Sequence, residues 1–412
     1  MRLLWLCNLM PGLVREALEG KANAGGLWVD SVLSGLRRKG ETIHILCPGN
    51  EARGTLDEKT SFLTFREGLP YVYLPELEEK FGEEIRAFQP DVIHVWGTEY
   101  GHTLAMMNAA EKWGMLAHTV VSIQGLCSVI ERHYTEGIPY GIQKGYTFRD
   151  FVRRDNLLQQ QRKFGLRGEL EVQALKKARH VIGRTHWDRA CTAAVNPQAQ
   201  YHFCNETLRE PFYTDAWRYD TCQKHRIFAS SCSYPVKGFH YLLEAFGKVS
   251  RDYPDAVLAV PEQSFLTASK LRRTRYQKYL GELARRYGVA DRLEFLGSLS
   301  AMEMKAEYRK ANVFVLPSTI ENSPNSLGEA MLLGVPCVAA DVGGVMDLMT
   351  PDREGLVYPS TESYMLAYRI CQVLDMGDRA EPMGKAAREH AAVTHDPEGN
   401  LDTIQKIYES LK

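Results

Sequence analysis

Short apolar runs alternate with amphipathic stretches along the N-terminal part of the chain, and this pattern predicts parallel strands joined by helices. The runs are rich in leucine and β-branched residues and lack polar alternation, as expected of strands that helices cover on both faces. We therefore predict a doubly wound α/β domain with strands at Arg2–Leu6, Thr42–Cys47, Val72–Leu74, Val92–Trp96 and Thr119–Ile123.

A polar and aromatic insert between Ser128 and Arg167 interrupts this alternation. The strand-like segment HVIGRT resumes it, and the polar segment RYDTCQKH leads into a second series of apolar runs. The strands predicted in this second series are Arg226–Ser230, Ala256–Val260, Leu293–Leu296, Val313–Leu316 and Cys337–Ala340, and its helices include Ser269–Tyr287, Met302–Arg309 and Asn325–Leu333. One architecture is therefore expected twice, in domains 1–210 and 211–381, with a helical segment at 382–412 that can cross back to the first domain.

The composition is that of a globular protein, with 44% apolar and 25% charged residues in a chain of 412. A net charge of −1 gives no global electrostatic attraction to nucleic acid, so we expect no nucleic-acid partner. Nine scattered cysteines lack C-x-x-C pairs and Cys/His ligand spacing, which indicates reduced thiols and no zinc site. The N-terminal apolar run has about five residues, fewer than the roughly 7–15 of a secretory signal, so we expect a cytoplasmic protein.

The segment VFVLPSTIENSPNSLGEAMLLGVPCVAADVGG, residues 313–344, reads as a strand, a loop, a helix, a second strand and a glycine turn. Ser323 is a candidate N-cap residue and Pro324 a candidate first helical residue. Three backbone N–H groups would then point away from the helix, those of Asn325, Ser326 and Leu327. Such a helix start attracts phosphate, and it follows a strand at the edge of the sheet where open α/β domains bind ligands.

Two carboxylates and one ammonium accompany this helix start. Glu321 precedes the helix and Glu329 lies on its second turn, where each can accept hydrogen bonds from sugar hydroxyls; a loop Glu and a solvated helix Glu are the alternatives. Lys237, in SYPVKGFHYLLEAF, can bind a diphosphate and neutralise a leaving nucleotide, or it is an ordinary solvated Lys. The pair Gly25 and Gly26 can let backbone approach a pyrophosphate, although it lacks the G-x-G-x-x-G spacing of a dinucleotide site.

Taken together, these motifs resemble the retaining glycosyltransferases of family 4, most strongly over residues 226–375, where the E-x7-E spacing and VAADVGG match the family's signature. The resemblance implies a GT-B fold, in which two doubly wound Rossmann-like domains face a cleft. It also implies a nucleotide-sugar donor. In that case Glu321 contacts the donor sugar near the reacting carbon, Glu329 holds the ribose hydroxyls, and Lys237 binds the diphosphate.

Two positions depart from the family's pattern. Relatives usually pair the Lys with an Arg five or six positions earlier, where this chain has Cys232 and Ser231. Relatives often place a His after the strand that ends near residue 123; here Gln124 stands in that place, and it remains a candidate catalytic residue because its amide can hydrogen-bond a sugar hydroxyl. Arg184 is a candidate for the missing positive charge, with an interface salt bridge as the alternative.

Retention of configuration in the family is thought to follow a front-face mechanism. The acceptor hydroxyl attacks from the side that the diphosphate leaves, and the departing phosphate oxygen takes its proton. No pair of hydrolase-type carboxylates is needed, and the sequence offers no second carboxylate motif. We expect neither cofactor nor metal, because Lys237 and the helix amides would stabilise the leaving group.

The acceptor is expected to contact the N-terminal domain. Candidate residues follow two predicted strands, and they are Glu99, Tyr100, His102 and Arg132; ordinary loop packing is the alternative. Residues 144–189 hold twelve Lys or Arg and five Asp or Glu, which form either a basic face that docks on anionic lipid or a set of solvated helix faces. A lipid-linked saccharide acceptor and peripheral contact with the cytoplasmic face of a membrane are therefore hypotheses.

Three functions stay open at this point. The favoured one is transfer of a sugar from a nucleotide diphosphate to a saccharide or lipid-linked saccharide, in the synthesis of a surface polysaccharide. A GT-B nucleotide-sugar epimerase is the second. A catalytically weak sugar-nucleotide-binding protein is the third, and the residues at positions 231, 232 and 124 favour it.

Overall fold

A computed structural model describes residues 1–20 and 28–412 of the chain. Gly25 and Gly26, the glycine pair predicted to approach a pyrophosphate, lie outside the described residues. The described chain divides into two compact units, each built on a mainly parallel sheet with helices around it. This confirms the predicted α/β class with two Rossmann-like domains. Unit 1 comprises residues 1–131, 163–209 and 395–412, and unit 2 comprises residues 132–162 and 210–394.

The strands and α-helices of the described residues are numbered in chain order. The strands are β1 Arg2–Cys7, β2 Thr42–Pro48, β3 Ala52–Thr55, β4 Thr60–Phe65, β5 Val92–Trp96, β6 Thr119–Ser122, β7 His180–Gly183, β8 Gln200–Phe203, β9 Arg226–Phe228, β10 Val257–Val260, β11 Leu293–Phe295, β12 Val313–Leu316, β13 Cys337–Asp341 and β14 Leu356–Pro359. The helices are α1 Gly12–Glu19, α2 Trp28–Arg38, α3 Pro75–Phe88, α4 Gly101–Lys112, α5 Cys127–His133, α6 Tyr140–Gln143, α7 Phe148–Arg153, α8 Leu157–Lys177, α9 His186–Val195, α10 Phe239–Asp252, α11 Arg275–Arg286, α12 Ala301–Lys310, α13 Asn325–Leu333, α14 Val345–Leu348, α15 Ser363–Met376, α16 Glu381–Thr394 and α17 Pro397–Leu411.

Unit 1 holds an eight-stranded sheet in the order β3-β4-β2-β1-β5-β6-β7-β8, parallel except for β3. The predicted strand Val72–Leu74 is wrong. Those residues form a loop in which Val72 is 40% exposed, and Pro75 then begins α3. The chain forms strand β4 instead. Its sequence TSFLTF mixes polar and apolar residues, so it lacks the continuous apolar run by which the neighbouring strands are predicted.

The C-terminal helix α17 packs into unit 1. Leu401 and Ile404 join the same apolar cluster as Leu33 of α2, and the Tyr408 hydroxyl lies 2.6 Å from Nδ1 of His94 on β5. The return begins at residue 395 rather than at the predicted 382. The reason is that α16 stays with unit 2, where Gly384 lies against the backbone of Gly334 at the end of α13.

The insert also differs from its predicted place in the first domain, because residues 132–162 group with unit 2. Nε2 of His240 on α10 lies 3.0 Å from the Glu136 carbonyl oxygen, and the backbone N–H of Arg275 on α11 donates to Asp150 Oδ2 at 2.8 Å. These polar contacts hold the insert against α10 and α11. An insert of polar and aromatic residues carries no periodicity that would have indicated its neighbours.

Unit 2 holds a six-stranded parallel sheet in the order β11-β10-β9-β12-β13-β14. The predicted strands of this unit are present and β14 is an additional one. Helix α11 begins at Arg275, six residues after the predicted start, because the Thr274 hydroxyl accepts a hydrogen bond from the Gln277 N–H and caps the helix there. Among the described residues, no helix combines the length and apolar character that crossing a bilayer requires.

Candidate functional site

Two loops of unit 2 meet at the carboxyl ends of the neighbouring strands β9 and β12. The first contains a 3₁₀ turn, Pro235–Lys237, and the second runs from Pro317 to Pro324. Lys237 Nζ donates to Glu321 Oε1 at 2.6 Å, and the Ser318 hydroxyl donates to the same oxygen at 2.7 Å. The fold therefore brings together two charged residues that the sequence separates by 84 positions.

This pair is partly shielded from water, since the Lys237 side chain is 25% exposed and that of Glu321 is 13% exposed. Burial lowers the pKa of Lys237, but the Glu321 carboxylate and Tyr234 raise it, and the net pKa lies above its usual value. Lys237 is thus an ammonium at every physiological pH. An ammonium held by a carboxylate at a loop edge is a fixed positive charge for an anionic ligand.

Two glycines allow neighbouring backbone to approach the loop of residues 317–324 closely. Gly238 has φ of +63°, and a Cβ on it would lie 1.8 Å from the Pro317 carbonyl oxygen. Gly343 has φ of +51°, and a Cβ on it would lie 1.8 Å from the Glu321 carbonyl oxygen. The Gly344 N–H donates to that same oxygen at 3.2 Å. The glycine turn of VAADVGG therefore fixes the backbone of Glu321.

Helix α13 starts one residue later than its predicted caps indicate. Pro324 is the N-cap and no side chain caps this end, so the assignment of Ser323 as N-cap and Pro324 as first helical residue is wrong. The backbone N–H of Leu327 donates to the Pro324 carbonyl at 2.9 Å, which removes Leu327 from the predicted set of outward donors. The amides of Asn325 and Ser326 precede the helix's own hydrogen bonds and remain the candidates for an anion.

Glu329 lies on the second turn of α13 and is only 4% exposed. This excludes the alternative that it is an ordinary solvated helix glutamate. A buried carboxylate one turn beyond a helix start is held in one place, which suits recognition of a pair of ligand hydroxyls.

In unit 1, three of the predicted residues share one pocket. Gln124, Glu99 and Tyr100 line a pocket of about 190 Å³ together with Asn8 and Arg167. The Gln124 amide donates to Glu206 Oε1 at 2.8 Å, so its orientation is fixed. Burial raises the pKa of Glu99, and Asn8 Nδ2 donates to its Oε2 at 2.5 Å.

The other two acceptor candidates have different surroundings. His102 is buried, burial lowers its pKa to about 3, and its Nε2 lies 2.9 Å from Asn8 Oδ1. It is therefore a neutral ring that orients Asn8 rather than a group exposed to a ligand. Arg132 is exposed at the end of α5 and groups with unit 2, whereas Glu99 belongs to unit 1.

Arg184 does not replace the arginine that relatives usually have five or six positions before the Lys. The Arg184 guanidinium is buried, forms an ion pair with Glu206, and donates to the Ile123 carbonyl at 2.9 Å. Arg184 therefore forms a salt bridge, but the bridge lies within unit 1 rather than at an interface. Of the two replacing residues, Ser231 donates to Glu262 Oε1 at 3.1 Å and Cys232 is buried.

Two residues of α8 that the sequence did not single out organise the unit 1 pocket. Arg167 Nε donates to the Glu99 carbonyl at 2.7 Å, and its guanidinium carbon lies 5.0 Å from the centre of the Tyr100 ring. The buried Glu171 accepts hydrogen bonds from the N–H groups of Cys127 and Ser128 and from the Thr98 hydroxyl. In sequence both look like ordinary charged helix residues, so only the fold reveals them.

Replacing Glu171 with Gln tests this role. Burial raises the pKa of Glu171 to about 7 from 4.5, so the folded state binds this proton more tightly than the unfolded state. Its contribution therefore makes the free energy of unfolding fall as pH rises from about 4.5 to about 7. We expect chemical denaturation at pH 5 and pH 8 to show a smaller fall in the variant. The variant should also lose roughly 1–3 kcal/mol at pH 8, because an amide cannot satisfy all these donors.

The matched control is Glu169→Gln, on an exposed position of the same helix. It should keep the wild-type difference between the two pH values. A Glu171→Gln protein that also keeps that difference would show that Glu171 does not titrate in this range.

The two Rossmann-like units and the loop pair at the β9 and β12 edge are those of the GT-B class of folds. Residues 223–390, which contain Lys237, Glu321 and Glu329, match the family described as "Glycosyl transferases group 1".

Several individual proteins are similar to the chain. The D-inositol 3-phosphate glycosyltransferase of Corynebacterium urealyticum is 29% identical over 43% of this chain and 41% of its own length. The putative colanic acid biosynthesis glycosyltransferase WcaL of Escherichia coli is 32% identical over 29% of this chain and 31% of its own length. The chain thus spans less than half of these curated relatives. HepE of Anabaena, solved in complex with UDP-glucose, aligns over 100% of both chains with a TM-score of 0.68 at 16% identity, which supports the fold.

Proposed function

We propose that the protein is a retaining glycosyltransferase that moves a sugar from a nucleotide-diphosphate donor to a saccharide or lipid-linked saccharide acceptor. The observation that carries this proposal is the Lys237–Glu321 pair beside the start of α13, within the region that matches the glycosyl transferases group 1 family. A relative named for colanic acid biosynthesis and a structural neighbour solved with UDP-glucose support the same class of reaction. Surface polysaccharide synthesis in the cytoplasm is the setting we expect.

Unit 2 would bind the donor. The Lys237 ammonium and the amides of Asn325 and Ser326 would hold the diphosphate, because a fixed cation and a helix start both favour negative charge. Glu329 would accept hydrogen bonds from the ribose hydroxyls, and the Glu321 carboxylate would lie at the sugar near its reacting carbon. These roles match residue types to ligand groups: acids to hydroxyls, and an ammonium to phosphate oxygens.

Chemistry at the reacting carbon would follow the front-face course. The bond between the sugar carbon and the diphosphate oxygen breaks, the acceptor hydroxyl bonds to the same face, and the departing phosphate oxygen takes the hydroxyl proton. Lys237 would stabilise the charge that develops on the leaving diphosphate, which is the transition-state contact that accelerates the step. The same ammonium and the helix amides would make a metal ion and any cofactor unnecessary.

Unit 1 would receive the acceptor. Its pocket offers a carboxylate from Glu99, a ring from Tyr100 and the fixed amide of Gln124, a mixture that suits a saccharide, since sugars present hydroxyls on their edges and C–H groups on their faces. Arg167 and Glu171 would act through the loops that they hold. A lipid-linked acceptor would bring the protein to the cytoplasmic face of a membrane.

Incubating the protein with a panel of nucleotide sugars, with and without saccharide acceptors, tests the proposal. Transfer to an acceptor with retained configuration supports it. Formation of an epimeric sugar without acceptor would identify an epimerase, and donor binding with no turnover on any acceptor would identify a binding protein. Either of these outcomes rejects the proposed transferase.

Replacing Glu329 with Gln should weaken binding of the preferred nucleoside diphosphate about tenfold, since a hydrogen bond to a charged group contributes roughly 1.5–3 kcal/mol. The wild type should bind the corresponding 2′,3′-dideoxynucleotide more weakly than the ribonucleotide, whereas the variant should bind both alike. Calorimetric titration measures these affinities. Glu389→Gln, an exposed glutamate of the same unit, is the control; equal preference for ribose in variant and wild type would reject the ribose contact.

A further inference from the structure

Large apolar side chains that face solvent are concentrated in one short segment of the insert, residues 140–154. Tyr140 is 65% exposed, Phe148 62%, Phe151 73% and Val152 63%. These four residues and the neighbouring Arg153 and Arg154, which we call the aromatic–basic face, extend from α6 to just beyond α7. We propose that this face docks the protein on the surface of an anionic lipid bilayer.

The apolar side chains are held outward by the structure of α7. The Thr147 hydroxyl accepts from the Asp150 N–H at 3.2 Å and the Thr147 N–H donates to Asp150 Oδ2, a capping box that starts the helix. Asp150 itself is fully buried and also accepts the N–H of Arg275 on α11. The helix therefore turns its carboxylate toward unit 2 and leaves Phe148, Phe151 and Val152 in water. A surface helix in water has the opposite arrangement, with its apolar side chains buried and its charged side chains exposed.

The charge of the segment complements an anionic surface. It contains four basic residues and one acid, and the acid is the buried Asp150. Arg149 points to Asp150 and Asp155, whereas Lys144, Arg153 and Arg154 are exposed, and Lys144 Nζ lies 5.4 Å from the centre of the Tyr140 ring. Segments that lie in the headgroup layer of a bilayer combine basic residues with aromatic side chains in this way.

The structure also reduces the number of basic residues, among those at 144–189, that are available to a membrane surface. Arg167 is engaged with Glu99 and Tyr100, Lys177 pairs with Glu111, and Arg184 is buried against Glu206. These cations are used within the fold and add little to a membrane-facing surface. Within residues 140–154, by contrast, Lys144, Arg153 and Arg154 are exposed.

A bilayer fits this face better than a folded protein partner does. Aromatic side chains and arginines enter the interfacial layer without needing a complementary shape, and a helix of six residues can lie in that layer but cannot cross it. The face shares no residue with the Lys237–Glu321 site. Membrane docking and the proposed glycosyl transfer can therefore each fail without the other.

Co-sedimentation of the full chain with vesicles tests the proposal. Vesicles of equal parts phosphatidylcholine and phosphatidylglycerol should bind the protein at 50 mM salt at least tenfold more tightly than phosphatidylcholine vesicles, and 500 mM salt should weaken this binding. The double variants Phe148→Ser/Phe151→Ser and Arg153→Glu/Arg154→Glu should each lose at least tenfold in affinity. Circular dichroism and the thermal midpoint of each variant should match the wild type, because all four side chains are exposed.

Two matched control variants test whether exposed rings or exposed positive charges elsewhere on the chain affect vesicle binding in the same way. Tyr364→Ser/Tyr368→Ser removes two exposed rings from α15, and Arg285→Glu/Arg286→Glu reverses an exposed pair on α11; both should bind vesicles as the wild type does. No binding of the wild type to anionic vesicles would overturn the proposal. So would equal losses in the control variants, or unchanged vesicle binding by folded proteins that carry the two test substitutions.

Discussion

Replacing either Lys237 or Glu321 with alanine will lower the turnover of sugar transfer by about 10²- to 10³-fold, the effect of losing one electrostatic contact made in a transition state, roughly 3–4 kcal/mol. The structure explains why the two losses should be alike. Their side chains form one ion pair at 2.6 Å, so removing the lysine leaves an unpaired carboxylate at the proposed diphosphate site, and removing the glutamate releases the ammonium from its position. Steady-state kinetics with the preferred donor measures both effects.

The double variant Lys237→Ala/Glu321→Ala should be little slower than the slower single variant, because residues that act as a unit are not additive. Lys248→Ala is the matched control. Lys248 forms an exposed pair with Glu244 on α10, so its loss should leave turnover at the wild-type level. Near-native rates in both single variants would remove these residues from the mechanism.

Replacing Gly343 with alanine should abolish most of the activity, at least 100-fold, although the new side chain is a single methyl group. The backbone at this position has positive φ, which costs an alanine about 1–2 kcal/mol, and its Cβ would lie 1.8 Å from the Glu321 carbonyl oxygen. The loop that carries Glu321 must therefore move. Donor affinity and turnover should fall together, and the free energy of unfolding should fall by more than the conformational cost alone.

Gly288→Ala separates these two causes. Gly288 has φ of +68°, but a Cβ added to it would meet no atom of the described residues within 4 Å, so its substitution carries the backbone cost without the collision. We expect a loss of about 1–2 kcal/mol in stability and wild-type turnover. If Gly343→Ala and Gly288→Ala had the same turnover, the close approach of the glycine turn to Glu321 would be irrelevant to activity.

The sequence was most informative where buried strands are continuous apolar runs. Strands β1, β2, β5, β12 and β13 have this character, and their order along the chain was enough to predict two parallel α/β units. The E-x7-E spacing makes Glu321 and Glu329 candidate site residues, and it places one in the loop before α13 and the other on that helix. The predicted range of α13, Asn325–Leu333, matches the observed helix, but the predicted caps at its start are one residue too early.

Features that depend on contacts between residues far apart in the sequence could not be predicted in this way. Val72–Leu74 has the composition of a strand, but the observed strand β4 has a mixed sequence that the sheet selects by its pairing with β2. Glu171 resembles any helix glutamate until α8 is placed against Thr98 and Ser128. The place of the insert depends on single polar contacts such as Arg275 with Asp150, and such contacts leave no periodic pattern.

Calorimetric titration of the full chain with UDP, GDP and ADP in the presence of EDTA tests whether Lys237 binds a nucleoside diphosphate without a metal ion. We expect at least one of the three to bind without metal, with a dissociation constant in the micromolar range, and Lys237→Ala to weaken this binding at least tenfold while Lys248→Ala does not. Failure of all three nucleotides to bind at millimolar concentration, or equal affinity in wild type and Lys237→Ala, would contradict it.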